Sequence, residues 1–363
     1  MGNKVDFIFD CWGKIATLPL KVLKRINTTG KVTEKLLISI SKEAEKKSPV
    51  FVSHMLRRKY SNLFTPLPMI KNKENIAIIM QGPIISEEDF TLNTILFYKK
   101  YNPTCLIIVS TWTTENKDVI AKIKSTGAIV IQEKPPANGG YGNINYQLIS
   151  TKNGIRKALE YKVGYICKTR TDQRIEDPFA FIGMRHLIEN YPSYNTGFFS
   201  SRLVVLATEY GSMFEPYYVS DFMFFGTAGD MKKFLYIELD NRLLFERKKL
   251  TRKQLVETKG IAEIYIMKSI AEQDKQNKYD VSVKGYWDFV KDNLVLIDKP
   301  MIKLYWPKYD SRYCEHLRNG TYTTETQDER SRLSNFNFNS WLALINGELI
   351  YNHSFEKYLD QSL

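Results

Sequence analysis

Within the stretch "YICKTRTDQRIEDP" (165–178), six charges follow an apolar triplet in ten residues: Lys168, Arg170, Asp172, Arg174, Glu176 and Asp177. Arg170 and Arg174 carry guanidinium forks that match phosphate oxygens two at a time, and Lys168 adds a point charge. Asp172 could coordinate a divalent ion or accept hydroxyls from a ribose or a sugar. An ion-paired loop with no ligand accounts for the same charges equally well, so the position of the stretch in the fold has to decide. A second candidate is Asp221, the only charge in the apolar run 217–228. A carboxylate so surrounded is costly to bury unless it is hydrogen-bonded, kept for binding or proton transfer, or spent capping a turn.

Other signatures are absent. There is no GxxxxGK[ST] loop, and "GGYGN" (139–143) neither matches GxGxxG nor joins a strand to a helix as that motif must, so it reads as a mobile loop. The four histidines form no metal or triad pattern; only His316 has charged neighbours. Cys11, Cys105, Cys167 and Cys314 are widely spaced, which argues against zinc and for a reducing compartment.

The elements that must position these residues begin at Asn75. Apolar runs at 75–81, 105–112, 128–132 and 163–171 read as buried strands, and 86–101, 114–126 and 143–162 as helices between them. Ser86 with Asp89 resembles a capping box, and Gly127 stops the second helix. Continuous apolar strands alternating with amphipathic helices indicate a parallel sheet with helices on both faces. Ligands of such sheets gather beyond the C-terminal strand ends. That rule selects Gln81-Gly82-Pro83, Ser110-Thr111-Trp112, residues 133–143 and residues 169–174. Further on, 195–207 and 217–226 read as strands, and 227–239 and 252–273 as helices, the last weakened by Gly260.

The chain has 363 residues and a net charge of +12. Residues 1–70 hold 13 Lys and Arg against 5 Asp and Glu, so +8 of that surplus is local. They mix bulky apolar residues with lysines, as an interfacial helix does, or as a helical arm packed on its own core or forming a dimer contact does. The expected organisation is a basic helical arm at 1–71, a core at 72–300 and an irregular extension at 301–363 packed on that core. No leader pattern and no run long enough to span a bilayer is present, so a cytoplasmic protein is expected, with a peripheral place at the inner membrane face through the arm.

Five segments, "IAIIMQGPI", "LIIVSTW", "NINYQLISTKNGIRKA", "YICKTRTDQRI" and "VSDFMFFGTAGDM", resemble in this order the WavE-type lipopolysaccharide synthesis family. The resemblance covers 76–231 and implies a GT-A-like glycosyltransferase that moves a sugar from a nucleotide donor to a growing bacterial surface glycan, in lipopolysaccharide core or capsule. Such enzymes end the fourth strand in Asp-x-Asp, which holds Mn²⁺ or Mg²⁺ on the donor diphosphate. Here the triplet is Arg170-Thr171-Asp172, so Asp172 is the one metal candidate and metal-independent operation is equally compatible. The implied donor contacts are Gln81, Gly82, Pro83, Thr111, Thr151, Asn153, Lys168, Arg170, Asp172 and Arg174. The base for the acceptor hydroxyl is Asp221 in first place and Glu263 in second. The implied partners are a nucleotide-sugar and a glycan or glycolipid acceptor, with no specific nucleic acid. A basic adaptor at a membrane surface or on nucleic acid, and a nucleotidyl or sugar-phosphate transferase, stay open as alternatives.

Overall fold

The computed structural model describes residues 31–47, 75–193, 198–207, 213–242, 250–274, 279–307 and 336–360. The chain divides into two compact units. One contributes a single described helix, α1 (Lys31–Lys47); the rest of the basic arm lies outside the described residues. Everything that follows belongs to the other unit.

Strand β1 (Ile76–Gln81) is buried along its whole length, as its unbroken apolar sequence requires of a central parallel strand. Helix α2 (Phe90–Tyr101), β2 (Leu106–Trp112), α3 (Lys117–Ser125), β3 (Ile129–Glu133), α4 (Ile144–Glu160) and β4 (Tyr165–Arg170) follow. The next elements are β5 (Arg174–Ile175), α5 (Ala180–Asn190), β6 (Leu203–Leu206), β7 (Phe224–Thr227) and the short α6 (Ala228–Met231). After them come α7 (Arg252–Glu257), α8 (Ala262–Ala271), α9 (Val283–Asn293), β8 (Leu294–Ile297), β9 (Leu304–Tyr305) and α10 (Phe338–Ile345).

Seven strands form one sheet in the order β3-β2-β1-β4-β7-β6-β8, with β5 and β9 as a separate pair. Only β7 runs against the others. This is the mostly parallel, helix-flanked α/β sheet that the sequence implied. The steps β1 to β2 and β2 to β3 move towards one edge, whereas β3 to β4 moves back across β1 and β2. Right-handed crossovers therefore put α2 and α3 on one face and α4 on the other.

The four leading strands and the helices between them lie where the sequence put them, within a few residues. Ser86, however, makes no side-chain cap. The helix starts at Phe90, after Glu88 and Asp89 adopt φ of 47° and 53°. The reason is Thr91, whose hydroxyl accepts the Ile85 amide at 2.9 Å and donates to the Thr171 carbonyl at 3.0 Å. That pulls the turn onto the end of β4.

The second half departs further. Residues 217–226 form a strand only from Phe224, because Tyr217 has φ 63° and the Asp221 carbonyl is held by side chains instead of a neighbouring strand. Of the strand expected over 195–207, residues 195–197 lie outside the described residues; in the remainder it is Leu203–Leu206, since Ser200 and Ser201 wrap the Asp230 carboxylate instead. The helix expected over 227–239 is four α-helical residues and a 3₁₀ turn, Lys232–Tyr236. The helix expected over 252–273 is two. Lys259 at φ 51° and the Gly260 amide bonded to Leu255 O at 2.8 Å close α7 with a left-handed cap. In the C-terminal stretch, Trp341 of α10 donates to Leu294 O at 2.7 Å, and Glu356 accepts the Val283 and Lys284 amides at the start of α9.

Gly154 is where α4 touches the sheet. A Cβ there would stand 2.3 Å from Ile79 Cγ2. Glycine normally costs a helix about 1 kcal/mol relative to alanine, so Gly154→Ala should stabilise on propensity alone. We predict that it destabilises by roughly 1–3 kcal/mol instead, through overpacking. Urea denaturation should show that loss in the native background and its disappearance in Ile79→Ala, where the methyl has room.

Candidate functional site

The C-terminal edge of the parallel strands carries Gln81-Gly82-Pro83, Ser110-Thr111-Trp112 and Arg170-Thr171-Asp172. Because β7 is antiparallel, with Phe224 opposite Lys168, the residues just before it, Asp221 to Met223, arrive at the same edge. Strand parity then sorts the side chains. Ile79 packs under α4 and pairs in register with Lys168, and Gln81 pairs with Arg170. Gln81, Lys168 and Arg170 therefore all face α4.

Lys168 has no exposed surface. Its ammonium donates to the Asp221 carbonyl and sits 5.4 Å from the Phe224 ring centre. The same carbonyl accepts Gln147 Nε2 of α4 at 3.1 Å. Burial pulls the Lys168 pKa down to about 7 against the counter-pull of Asp221, and Arg170 lowers it further. Asp221 is itself buried, yet among the described residues no hydrogen bond reaches its carboxylate.

Arg170 and Asp172 form a two-pronged pair, Nε to Oδ1 at 2.9 Å and Nη2 to Oδ2 at 3.1 Å. Trp306 adds its indole N–H to Asp172 Oδ2 at 3.1 Å and lays its ring 5.0 Å from the Arg170 guanidinium. Phe222 meets the Trp306 ring edge-on at 4.5 Å. Arg170 keeps about a quarter of its side chain exposed, 26%. A divalent ion at this triplet would need carboxylate oxygens that are free. Both oxygens of Asp172 are engaged and the facing residue is a guanidinium. Among the described residues no group of three His, Cys, Asp or Glu is placed to hold a metal. The residues present do not fit a divalent cation.

The loops framing this cluster are knit to one another. Thr171 donates its amide to Gln81 O at 3.1 Å and its hydroxyl to Pro83 O at 2.5 Å. Glu115 accepts the Ile84 amide and the Thr111 hydroxyl, both at 3.0 Å. Gly82 has φ 115°, and a Cβ there would stand 3.3 Å from the Thr171 hydroxyl oxygen, so glycine is required. The Ser150 hydroxyl of α4 lies 2.8 Å from Gln81 Oε1.

The fold thus brings Gln81, Gly82, Pro83, Thr111, Lys168, Arg170, Asp172 and Asp221 to one edge. The other four candidates lie elsewhere. Arg174 is buried on the α2 face, donating to Thr94 Oγ1 at 3.1 Å and lying 4.7 Å from the Phe90 ring centre, where it braces the core instead of meeting phosphate. Asn153 bonds to Arg156 at 2.8 Å and Glu133 at 3.4 Å, on the flank of α4 nearest β3. Thr151 lies on the buried face of α4, its hydroxyl without a hydrogen-bond partner among the described residues. Glu263 lies in the first turn of α8, whose first residue, Ala262, faces Gly142. Residues 139–143 are not a free loop at their centre: the Tyr141 amide donates to Asp240 Oδ2 at 3.1 Å. Gln147, Ser150, Glu115, Phe222 and Trp306 were missed. For Gln147 and Ser150 the signal was present, as polar residues three apart on the helix face that also carries Thr151 and Gly154.

A lysine with a pKa of about 7 in the fold and an ordinary one in the unfolded chain makes unfolding take up a proton between about pH 7 and 10.5. Stability from this residue therefore rises with pH across that window. Below pH 7 the fold bears the full cost of a buried ammonium, on the order of 5 kcal/mol. Thermal melts of wild type and Lys168→Met at pH 6.5 and 9.5 should show wild type gaining on the variant at the higher pH. Parallel shifts of the two proteins would rule out the buried charge.

Comparison with known proteins places the chain without naming a substrate. No curated protein matches it. Among solved structures it is similar to 4-diphosphocytidyl-2C-methyl-D-erythritol synthase from Anaerococcus prevotii, at 14% identity and a TM-score of 0.32, over 52% of this chain and 84% of that one. It is also similar to a mannose-1-phosphate geranyltransferase from Thermus thermophilus, at 14% identity and a TM-score of 0.23, over 39% of this chain and 44% of that one. The chain thus spans less than half the length of the second structure. Among the described residues no helix is long and apolar enough to cross a membrane. Residues 76–358, from the first residue of β1 to the last turn of the described C-terminal stretch, match the WavE lipopolysaccharide synthesis family, and the chain belongs to that family.

Proposed function

We propose that this chain is a glycosyltransferase that moves a sugar from a nucleotide-sugar donor to a growing lipopolysaccharide or related surface glycan. The observation that carries the reading is the meeting, at one strand edge, of a partly exposed arginine paired with a carboxylate and a buried carboxylate that no hydrogen bond reaches among the described residues. Membership of a lipopolysaccharide synthesis family supplies the context.

In transfer, the bond from the acceptor oxygen to the anomeric carbon forms as the bond to the donor phosphate breaks. Positive charge develops on the sugar ring and negative charge on the departing diphosphate. Arg170 exchanges Asp172 for the diphosphate, whose oxygens its fork matches, and stabilises the charge that builds there. Asp172, released, accepts hydroxyls of the donor sugar. Asp221 takes the acceptor hydroxyl proton, with Glu263 the second candidate for that role. Gln81 and the loop at Gly82 and Pro83 border the nucleoside. On this reading catalysis runs without a divalent metal, and the basic segment 1–71 attaches the enzyme to acidic lipid at the inner membrane face.

Calorimetric titration with UDP, GDP and CMP, each in Mn²⁺ and in EDTA, tests the donor site. One of the three should bind, equally well in both. Turnover of the matching nucleotide-sugar should fall about 100-fold or more in Asp221→Asn with little change in KM, since removal of a positioned base costs about 10²–10⁴ in rate. Full activity of both Asp172→Asn and Asp221→Asn would overturn the assignment.

A further inference from the structure

Asp221 sits in a segment with no regular hydrogen bonding. Residues 217–223 precede β7 without joining the sheet, and Tyr217 has φ 63°. Such a segment would ordinarily hold its side chains loosely. Here one backbone atom is gripped from two directions. The Asp221 carbonyl accepts the Lys168 ammonium from β4 and the Gln147 amide from the first turns of α4 at 3.1 Å. Both donors come from rigid elements, and both are buried. A carbonyl has two lone pairs, so both bonds can be held at once.

We infer that Lys168 and Gln147 form a clamp that positions Asp221, fixing the backbone of the proposed base so that its carboxylate, which no hydrogen bond reaches among the described residues, is presented at the strand edge. The inference rests on the proposed transfer reaction for its functional consequence, but the clamp is physical and can be read without activity. It also accounts for two polar residues in places that otherwise favour apolar ones. Lys168 occupies the middle of a buried strand, and Gln147 stands one turn before Ser150 and Thr151 on the inner side of α4. A leucine at position 147 would fill the space and leave the carbonyl with one donor. The groups whose charge acts on Lys168 are Asp221 on the gripped segment and Arg170, Asp172 and Cys167 on or beside its own strand.

Hydrogen exchange of the peptide covering 219–223 reads the clamp directly. Gln147→Leu should speed exchange there about tenfold and leave β1 and β2 unchanged; no change in that peptide would overturn the clamp. The functional half is read on whichever of UDP, GDP or CMP wild type binds, and on hydrolysis of the corresponding nucleotide-sugar. Gln147→Leu should leave nucleotide Kd within about twofold and lower kcat about tenfold. The wild-type kcat profile should carry an inflection near pH 7 that Lys168→Met removes and Gln147→Leu keeps. Unchanged kcat in Gln147→Leu, with faster exchange, would confine the clamp to a structural role and overturn the positioning claim. If wild type binds none of the three nucleotides, the donor reading fails while the exchange experiment still decides the clamp.

Discussion

The strand edge is organised by a lysine ammonium placed inside the protein. Lys168 lies in the second half of β4, between β1 and β7, with no exposed surface. A charge so placed is costly unless it is hydrogen-bonded. The nearest acceptor is a backbone carbonyl, that of Asp221, and satisfying the lysine draws the segment before β7 towards the sheet. That requirement explains why the strand expected at 217 begins only at Phe224. It also brings a carboxylate and a cation to the C-terminal edge, where open α/β sheets place their ligands.

A charge pair completes the edge by a different principle. Arg170 and Asp172 neutralise each other in a two-pronged bond that is partly exposed and capped by Trp306. The pair keeps part of its surface in water, which the proposed exchange requires. The contrast with Lys168 is instructive. The buried cation is held by the backbone, whereas the accessible one is proposed to trade a carboxylate for a phosphate of the same geometry.

The first half of the fold was legible because its signals are local. Unbroken apolar runs such as 76–80 and helices ended by Gly127 leave few alternatives. From residue 195 onward the determinants are long-range. Ser200 and Ser201 turn around Asp230, and the 217–223 segment follows Lys168 and Gln147, so propensity misplaced the strand and helix limits. Among candidate residues, Lys168, Arg170, Asp172 and Asp221 stood out as charges bordering apolar runs, and the fold brings them together. Arg174 carried the same signal but sits four residues past the end of β4, in the short β5–β9 pair, where it packs on the α2 face. Trp306 was unreadable because its contact with Asp172 spans 134 positions, and nothing near it in the chain marks that partner.

The exchange of Asp172 for a phosphate at Arg170 is the central claim, and one variant tests it most directly. Arg170→Asp creates an Asp-Thr-Asp triplet and removes the guanidinium. The measurement is the affinity of Arg170→Asp for the nucleoside diphosphate that wild type binds, by calorimetry in EDTA and in Mn²⁺. Binding that is lost in EDTA and recovered in Mn²⁺ is the expected result, with wild type unaffected by either. Binding of the variant in EDTA at wild-type affinity would contradict the account, since the diphosphate would then be held by something other than Arg170.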